Sequence, residues 1–225
     1  MKLLILLLTA ILAACSQDQA PLTPPLSEDT IVLIETGGTV DEADYNEALK
    51  TSLNLLQQLT SFSRRKATRD NQIHIVLSDR PNQISWSGNA QQLMEQATKV
   101  KDLITFKKSF SDLEMAFEQI NTTINLTQPD RVRLYWIGTT INVPFQDTNA
   151  PINVEVPQEV PANLALAKFA DRLSVLKIYR VHADQDQIFQ AYLGSLGILT
   201  RAKRGEIDFT LMGDAQTKSH INSLL

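Results

Sequence analysis

The chain has 225 residues, 21 basic and 25 acidic, with a formal net charge of −4 at pH 7. That mildly acidic balance lacks the concentrated positive charge that nucleic-acid binding needs. Its one cysteine, Cys15, excludes an intramolecular disulfide.

Lys2 is followed by an apolar run, 3–14, that stops at a polar segment. A membrane-spanning helix needs about 20 apolar residues, so this run reads as the hydrophobic part of a signal peptide. Leu12-Ala13-Ala14-Cys15 resembles the lipobox of bacterial lipoproteins. The resemblance implies cleavage before Cys15 and a lipid on its thiol, with residues 1–14 as signal peptide. Ser16 follows, where Gram-negative lipoproteins kept in the inner membrane carry Asp. The implied address is the outer membrane, lipid-anchored on the periplasmic side. Residues 15–29 contain Pro21, Pro24 and Pro25 and few large apolar groups, a composition suited to an extended tether. Residues 30–225 then form one domain.

In that domain 30–35 is a short, β-branched apolar run, the pattern of a strand buried on both faces of a parallel sheet. Gly37-Gly38 ends it, and a long helix, 41–62, is expected to follow, with Asp41 as its cap and Asp44 in its first turn. The basic stretch 64–69 reads as a solvated helix end. Strands are expected at 73–77 and, after a tight turn at 80–82, at 83–86. Helical periodicity covers 89–104 and 112–124, and 131–137 is a further strand. Residues 144–161 form a proline-bearing loop. A helix at 164–173 leads into a strand at 175–181. Another helix spans 184–199, with Gly194 and Gly197 weakening its continuity. A strand at 206–211 and a short terminal helix close the chain. Strands alternating with helices imply an α/β fold: a doubly wound, mostly parallel six-stranded sheet with one short antiparallel edge strand and helices on both faces. Of the adjacent Tyr135 and Trp136, at least one is expected in the core.

This order of elements resembles the von Willebrand factor A domain. Three local patterns carry the likeness: Ile34-Glu35-Thr36-Gly37-Gly38-Thr39-Val40, Ser111-Asp112-Leu113-Glu114-Met115-Ala116-Phe117, and Arg133-Leu134-Tyr135-Trp136-Ile137-Gly138-Thr139. They fall where that family builds its metal-ion-dependent adhesion site from Asp-x-Ser-x-Ser, a loop Thr and a final Asp. The family's site holds Mg²⁺ or a similar hard cation, which prefers oxygen ligands. Here the first Asp is matched by Glu35 and the first Ser by Gly37. Thr39 and Ser111 keep hydroxyls, and the final Asp falls at Gly138 or Thr139. Glu35, Thr39 and Ser111 are thus weak metal candidates, and a degenerate site without a bound metal is expected. Ligands of open α/β sheets bind beyond the carboxyl ends of the strands near the switch in strand order. Glu35, Thr36, Gly37, Thr39, Ser111, Thr139 and Thr140 are therefore the expected binding crevice, with Asn142 adding to its polar rim.

Thr36-Gly37-Gly38-Thr39-Val40 also looks like the first signature of bacterial asparaginases, which would make Thr39 or Thr36 the nucleophile of an amidohydrolase. That family's second signature, His-Gly-Thr-Asp-Thr, is missing. No Gly-x-Ser-x-Gly elbow, P-loop or His-Glu-x-x-His occurs, and His74, His182 and His220 are isolated. The sequence thus favours a lipid-tethered, periplasm-facing, non-enzymatic module that binds an envelope protein partner in an envelope or secretion assembly. No cofactor is expected.

Overall fold

The computed structural model describes residues 26–145 and 156–225; Cys15, the signal peptide and most of the tether lie outside them. Six strands form one sheet: β1 Glu28–Ile34, β2 Ile73–Leu77, β3 Trp86–Gly88, β4 Arg131–Ile137, β5 Leu173–Val181 and β6 Asp208–Gly213. Their order is β3-β2-β1-β4-β5-β6. Every pairing is parallel except β2 with β3. The chain moves outward from β1 in one direction to β2 and in the other to β4. The switch in strand order therefore lies between β1 and β4.

The centre of the sheet is buried on both sides, which explains the unbroken apolar runs. Ile31 and Leu33 of β1 join Leu134 and Trp136 of β4 on one face. Val32 and Ile34 join Tyr135 and Ile137 on the other. Tyr135 and Trp136 are both core residues and split between the faces, as alternation along a strand requires.

Helices α1 Tyr45–Leu59, α2 Ala90–Glu95 and α3 Ala97–Leu103 cover the second face. The first face carries α4 Leu113–Thr127, α5 Ala183–Ser195 and α6 Ile198–Lys203. A last helix, α7, spans Asp214–Ser219. Among the described residues no helix is long and apolar enough to cross a membrane.

Several boundaries differ from expectation. The 41–62 helix opens as a 3-10 turn, Glu42–Asp44, and Asp41 makes no side-chain cap bond. The expected 89–104 helix is two: Asn89 and Gln92 form a reciprocal capping box for α2, and the chain breaks at Gln96. Gly197, at φ 73°, separates α5 from α6, a left-handed conformation glycine adopts without penalty. The expected helix at 164–173 is instead two 3-10 turns, Ala165–Lys168 and Ala170–Arg172. Leu164, Ala165, Leu166, Phe169 and Ala170 are all buried there, so the apolar spacing serves packing without a helical face. Strand β3 lies later than 83–86 because Trp86, Ser87 and Gly88 are the residues that pair with Ile75, His74 and Ile73. Strand β6 begins at Asp208, beyond a turn at Gly205.

Candidate functional site

Strand β1 ends at Ile34 and carries Glu35 straight into the switch point, where its N–H donates to Ile137 O at 2.9 Å. The Glu35 side chain is fully buried. Its Oε1 accepts the Trp136 indole N–H at 2.6 Å and the Thr140 N–H at 3.0 Å. Its Oε2 accepts the Thr139 N–H and hydroxyl, each at 3.0 Å, and the Thr39 hydroxyl at 3.3 Å. Five donors thus converge on a group with about four lone-pair directions. None of them carries a charge. Burial is the largest influence on this carboxyl and, despite the hydrogen bonds, pushes its pKa up to about 7.

Gly138 makes the arrangement sterically possible. A Cβ there would overlap the Glu35 carboxyl carbon. The longer acidic side chain after β1 and the missing side chain after β4 fit as a pair, with Glu35 filling the room that Gly138 leaves. Thr140 completes the loop at φ 63°, a left-handed conformation uncommon for a β-branched residue.

A second hydrogen-bonded knot adjoins the first through Thr36. The Thr36 N–H donates to Ser78 Oγ at 3.1 Å, and its hydroxyl donates to Asp79 Oδ1 at 2.7 Å. Ser111 is buried and donates to Ser78 Oγ at 2.8 Å. Its backbone bridges Val143 in an antiparallel pair. Gly37 and Gly38 pack directly against the backbone of this segment: a Cβ on Gly37 would overlap Phe110 O, and one on Gly38 would lie 2.8 Å from Ser109 O. Lys107 Nζ lies 2.9 Å from Asp79 Oδ2, and Arg80 Nε lies 3.5 Å from Asp79 Oδ1. Burial alone would raise the Asp79 pKa. The Thr36 and Lys107 hydrogen bonds and the two cations outweigh it and hold the carboxyl below its ordinary value.

The structure therefore gathers Glu35, Thr39, Thr139 and Thr140 in one knot and Thr36 and Ser111 in the next, with Gly37 at the turn between them. Asn142 accepts the Leu113 N–H at 2.8 Å and so holds the start of α4. Sequence reasoning missed Ser78, Asp79, Lys107 and the indole of Trp136. Ser78 and Asp79 directly follow an expected strand, so the carboxyl-end rule that singled out Glu35 applied equally to them. Nothing local in the sequence marked Lys107.

Outside the Glu35 knot lies a cleft of about 460 Å³, lined by Thr39, Asp41, Thr139, Arg180, His182 and Asp214 among others. Arg180 is buried, sits at φ 65° and interrupts the β5–β6 register. Its Nη2 lies 3.0 Å from Asp214 Oδ1. His182 caps α5, whose first turn holds Asp184 and Asp186, so those charges face the positive end of the helix dipole. Among the described residues no group of three or more His, Cys, Asp or Glu side chains is placed to hold a metal.

No family model and no curated protein sequence matches the chain. Solved structures match it in fold. A point mutant of the PilB minor pilin from Streptococcus sanguinis aligns with a TM-score of 0.55 at 8% identity, over 91% of this chain and 61% of that one. The pilus adhesin SpaC from Lactobacillus rhamnosus GG aligns with a TM-score of 0.52 at 13% identity, over 89% of this chain and 31% of that one. The human COPII-coat protein Sec24c gives 0.52 at 10% identity, over 88% and 31%. The chain spans less than two thirds of each of these proteins.

Proposed function

We propose that this is a von Willebrand factor A-like protein-binding module in which an internal carboxylate replaces the adhesion-site metal. Tethered through a lipid on Cys15 to the periplasmic face of the outer membrane, it serves an envelope or secretion assembly. One observation carries the reading. Glu35, the only acidic side chain at the adhesion-site positions, spends both oxygens on five protein donors. A hard cation needs free oxygen ligands at about 2.0–2.6 Å. Gly37 and Gly138 supply no side-chain oxygen, and the Ser111 hydroxyl is buried and donates to Ser78. The residues present do not fit Mg²⁺. The fold shared with a minor pilin and a pilus adhesin is consistent with assembly at a cell surface.

The partner-binding surface in this reading is the rim of the cleft outside Glu35. A photo-crosslinking residue at Asp41, on that rim, should trap one specific envelope protein in cells. The same residue at Gln128, beyond the far end of α4, should not. Equal adducts from both positions, or none from Asp41, would overturn the assignment.

A second reading has one observation in its favour. Thr39 Oγ1 points at a buried carboxylate of raised pKa, as a nucleophile points at its base. That same Oε2 also accepts the Thr139 N–H and hydroxyl, each at 3.0 Å against 3.3 Å for Thr39, so Thr39 is the most weakly held of its three donors. Ammonia release from asparagine or glutamine that Thr39→Ala abolishes would establish the amidohydrolase; absence of release excludes it for those substrates.

A further inference from the structure

The two edges of the sheet are finished differently. Strand β3 is only three residues long, one of the ways proteins blunt an edge. Strand β6 runs for six residues, Asp-Phe-Thr-Leu-Met-Gly, with no Pro, Lys or Arg. Among the described residues no strand pairs with its outer side. Phe209 to Gly213 are all partly exposed, whereas β1, β2, β4 and β5 are mostly buried.

A groove of about 490 Å³ follows this edge. Residues 209–212 line it, with Gln190 and Leu199 from α5 and α6 beside the first sheet face. Gln216 of α7 and His220 line it beside the second. Phe209 and Leu211 pack toward the first-face core and Met212 toward the second. A row of unpaired backbone N–H and C=O groups between two helical layers calls for an extended strand as its occupant.

The edge is complementary to itself. Consider two copies related by a two-fold axis normal to the sheet and midway between their Thr210 residues. Each face then stays on its own side, and Phe209 lies opposite Leu211 of the second copy, twice. Asp208 lies opposite Met212. Asp208 is the only charged residue of the strand, and its carboxylate is 3.0 Å from Lys177 Nζ of the same chain. No like charges oppose one another across the pair, an arrangement that would destabilise it. An isologous contact of this kind also closes on itself, so it yields a dimer and not a fibre.

We infer that β6 is the edge through which two copies of this chain pair antiparallel, joining their sheets into one. This inference is independent of the cleft and of the proposed function. It is tested by sedimentation of the full chain carrying Cys15→Ala, from low to high micromolar concentration, so that neither lipid nor a second thiol enters the measurement. A reversible dimer is expected. Leu211→Lys should weaken association by at least about tenfold, because the new charge would have to be desolvated at the centre of the contact. Thr210→Cys in the same background should give a disulfide-linked dimer on mild oxidation, while Gln128→Cys should not. Should Leu211→Lys lower the melting temperature, the Thr210→Cys result decides alone. A monomer at every concentration, or a dimer that Thr210→Cys does not lock, overturns the inference.

Discussion

Glu35 and Asp79 follow neighbouring strands, β1 and β2, and each carboxylate is almost wholly buried, at 0% and 2% exposure. Their proton affinities nevertheless move in opposite directions. The difference lies in the donors. Glu35 is surrounded by an indole, two backbone amides and two hydroxyls, which are dipoles without net charge. Asp79 has one hydroxyl and two cations, Lys107 and Arg80. At Glu35 neutral hydrogen bonds do not offset complete removal from water, whereas at Asp79 the Thr36 hydrogen bond, joined by Lys107 and Arg80, outweighs burial. The two sites therefore do different work. Asp79 pins the Lys107 loop to the sheet, and Glu35 ties the end of β1 to the loop after β4.

The largest expected effect comes from Glu35→Ala. It strands several buried donors, each costing about 1–3 kcal/mol when unpaired, so a total loss of about 3–5 kcal/mol should appear in urea unfolding. Asp79→Ala should cost less, because Lys107 can return to water.

Next in size is a pH effect of opposite sign at the two carboxyls. For Glu35 the folded pKa of about 7 exceeds the ordinary 4.5. Its contribution is fully present below pH 4.5 and is lost as pH rises through 7, on the order of 3 kcal/mol in all. For Asp79 the folded value lies below the ordinary 3.8, so its contribution is present above that pH and is lost as pH falls through the lowered value. Glu35→Gln should flatten the decline between pH 5 and 8, and Asp79→Asn should flatten only the acid side. Matching pH profiles for the two variants would erase the distinction between them.

Gly138→Ala should cost about 1–3 kcal/mol, the usual range for overpacking a filled site, through the overlap of its Cβ with Glu35. Combined with Glu35→Ala it should cost little more than Glu35→Ala alone, because the two residues share one space. Asp79→Asn should be the mildest, at about 1–2 kcal/mol, since Asn keeps an acceptor for Thr36.

Much of this architecture was legible in the sequence for a specific reason. Strands β2 and β4 matched their expected bounds, because a central parallel strand has both faces buried and reads as an apolar run. Elements set by tertiary pairing were less legible. Strand β3 starts where the register with β2 demands, and the turns at 165–172 follow packing against α4. The residues expected to form the crevice do lie at the carboxyl ends of strands, but Glu35, Thr36, Ser111 and Thr140 are buried there, and of that set Thr39 and Thr139 line the cleft. The partnership of Glu35 with Gly138 was not legible, because they lie 103 positions apart and their fit depends on side-chain volume. At least one of Tyr135 and Trp136 was expected in the core; both are, yet the Trp136 indole N–H also serves the site.

The most direct test of the carboxylate in place of a metal is the melting temperature of the full chain, followed by circular dichroism, with and without millimolar Mg²⁺ or Mn²⁺. A bound ligand stabilises in proportion to RT ln(1 + [L]/Kd). With the Glu35 oxygens occupied by protein donors, neither ion should move the transition. An upward shift that a chelator reverses would contradict the account and return Glu35, Thr39 and Ser111 to the role of metal ligands.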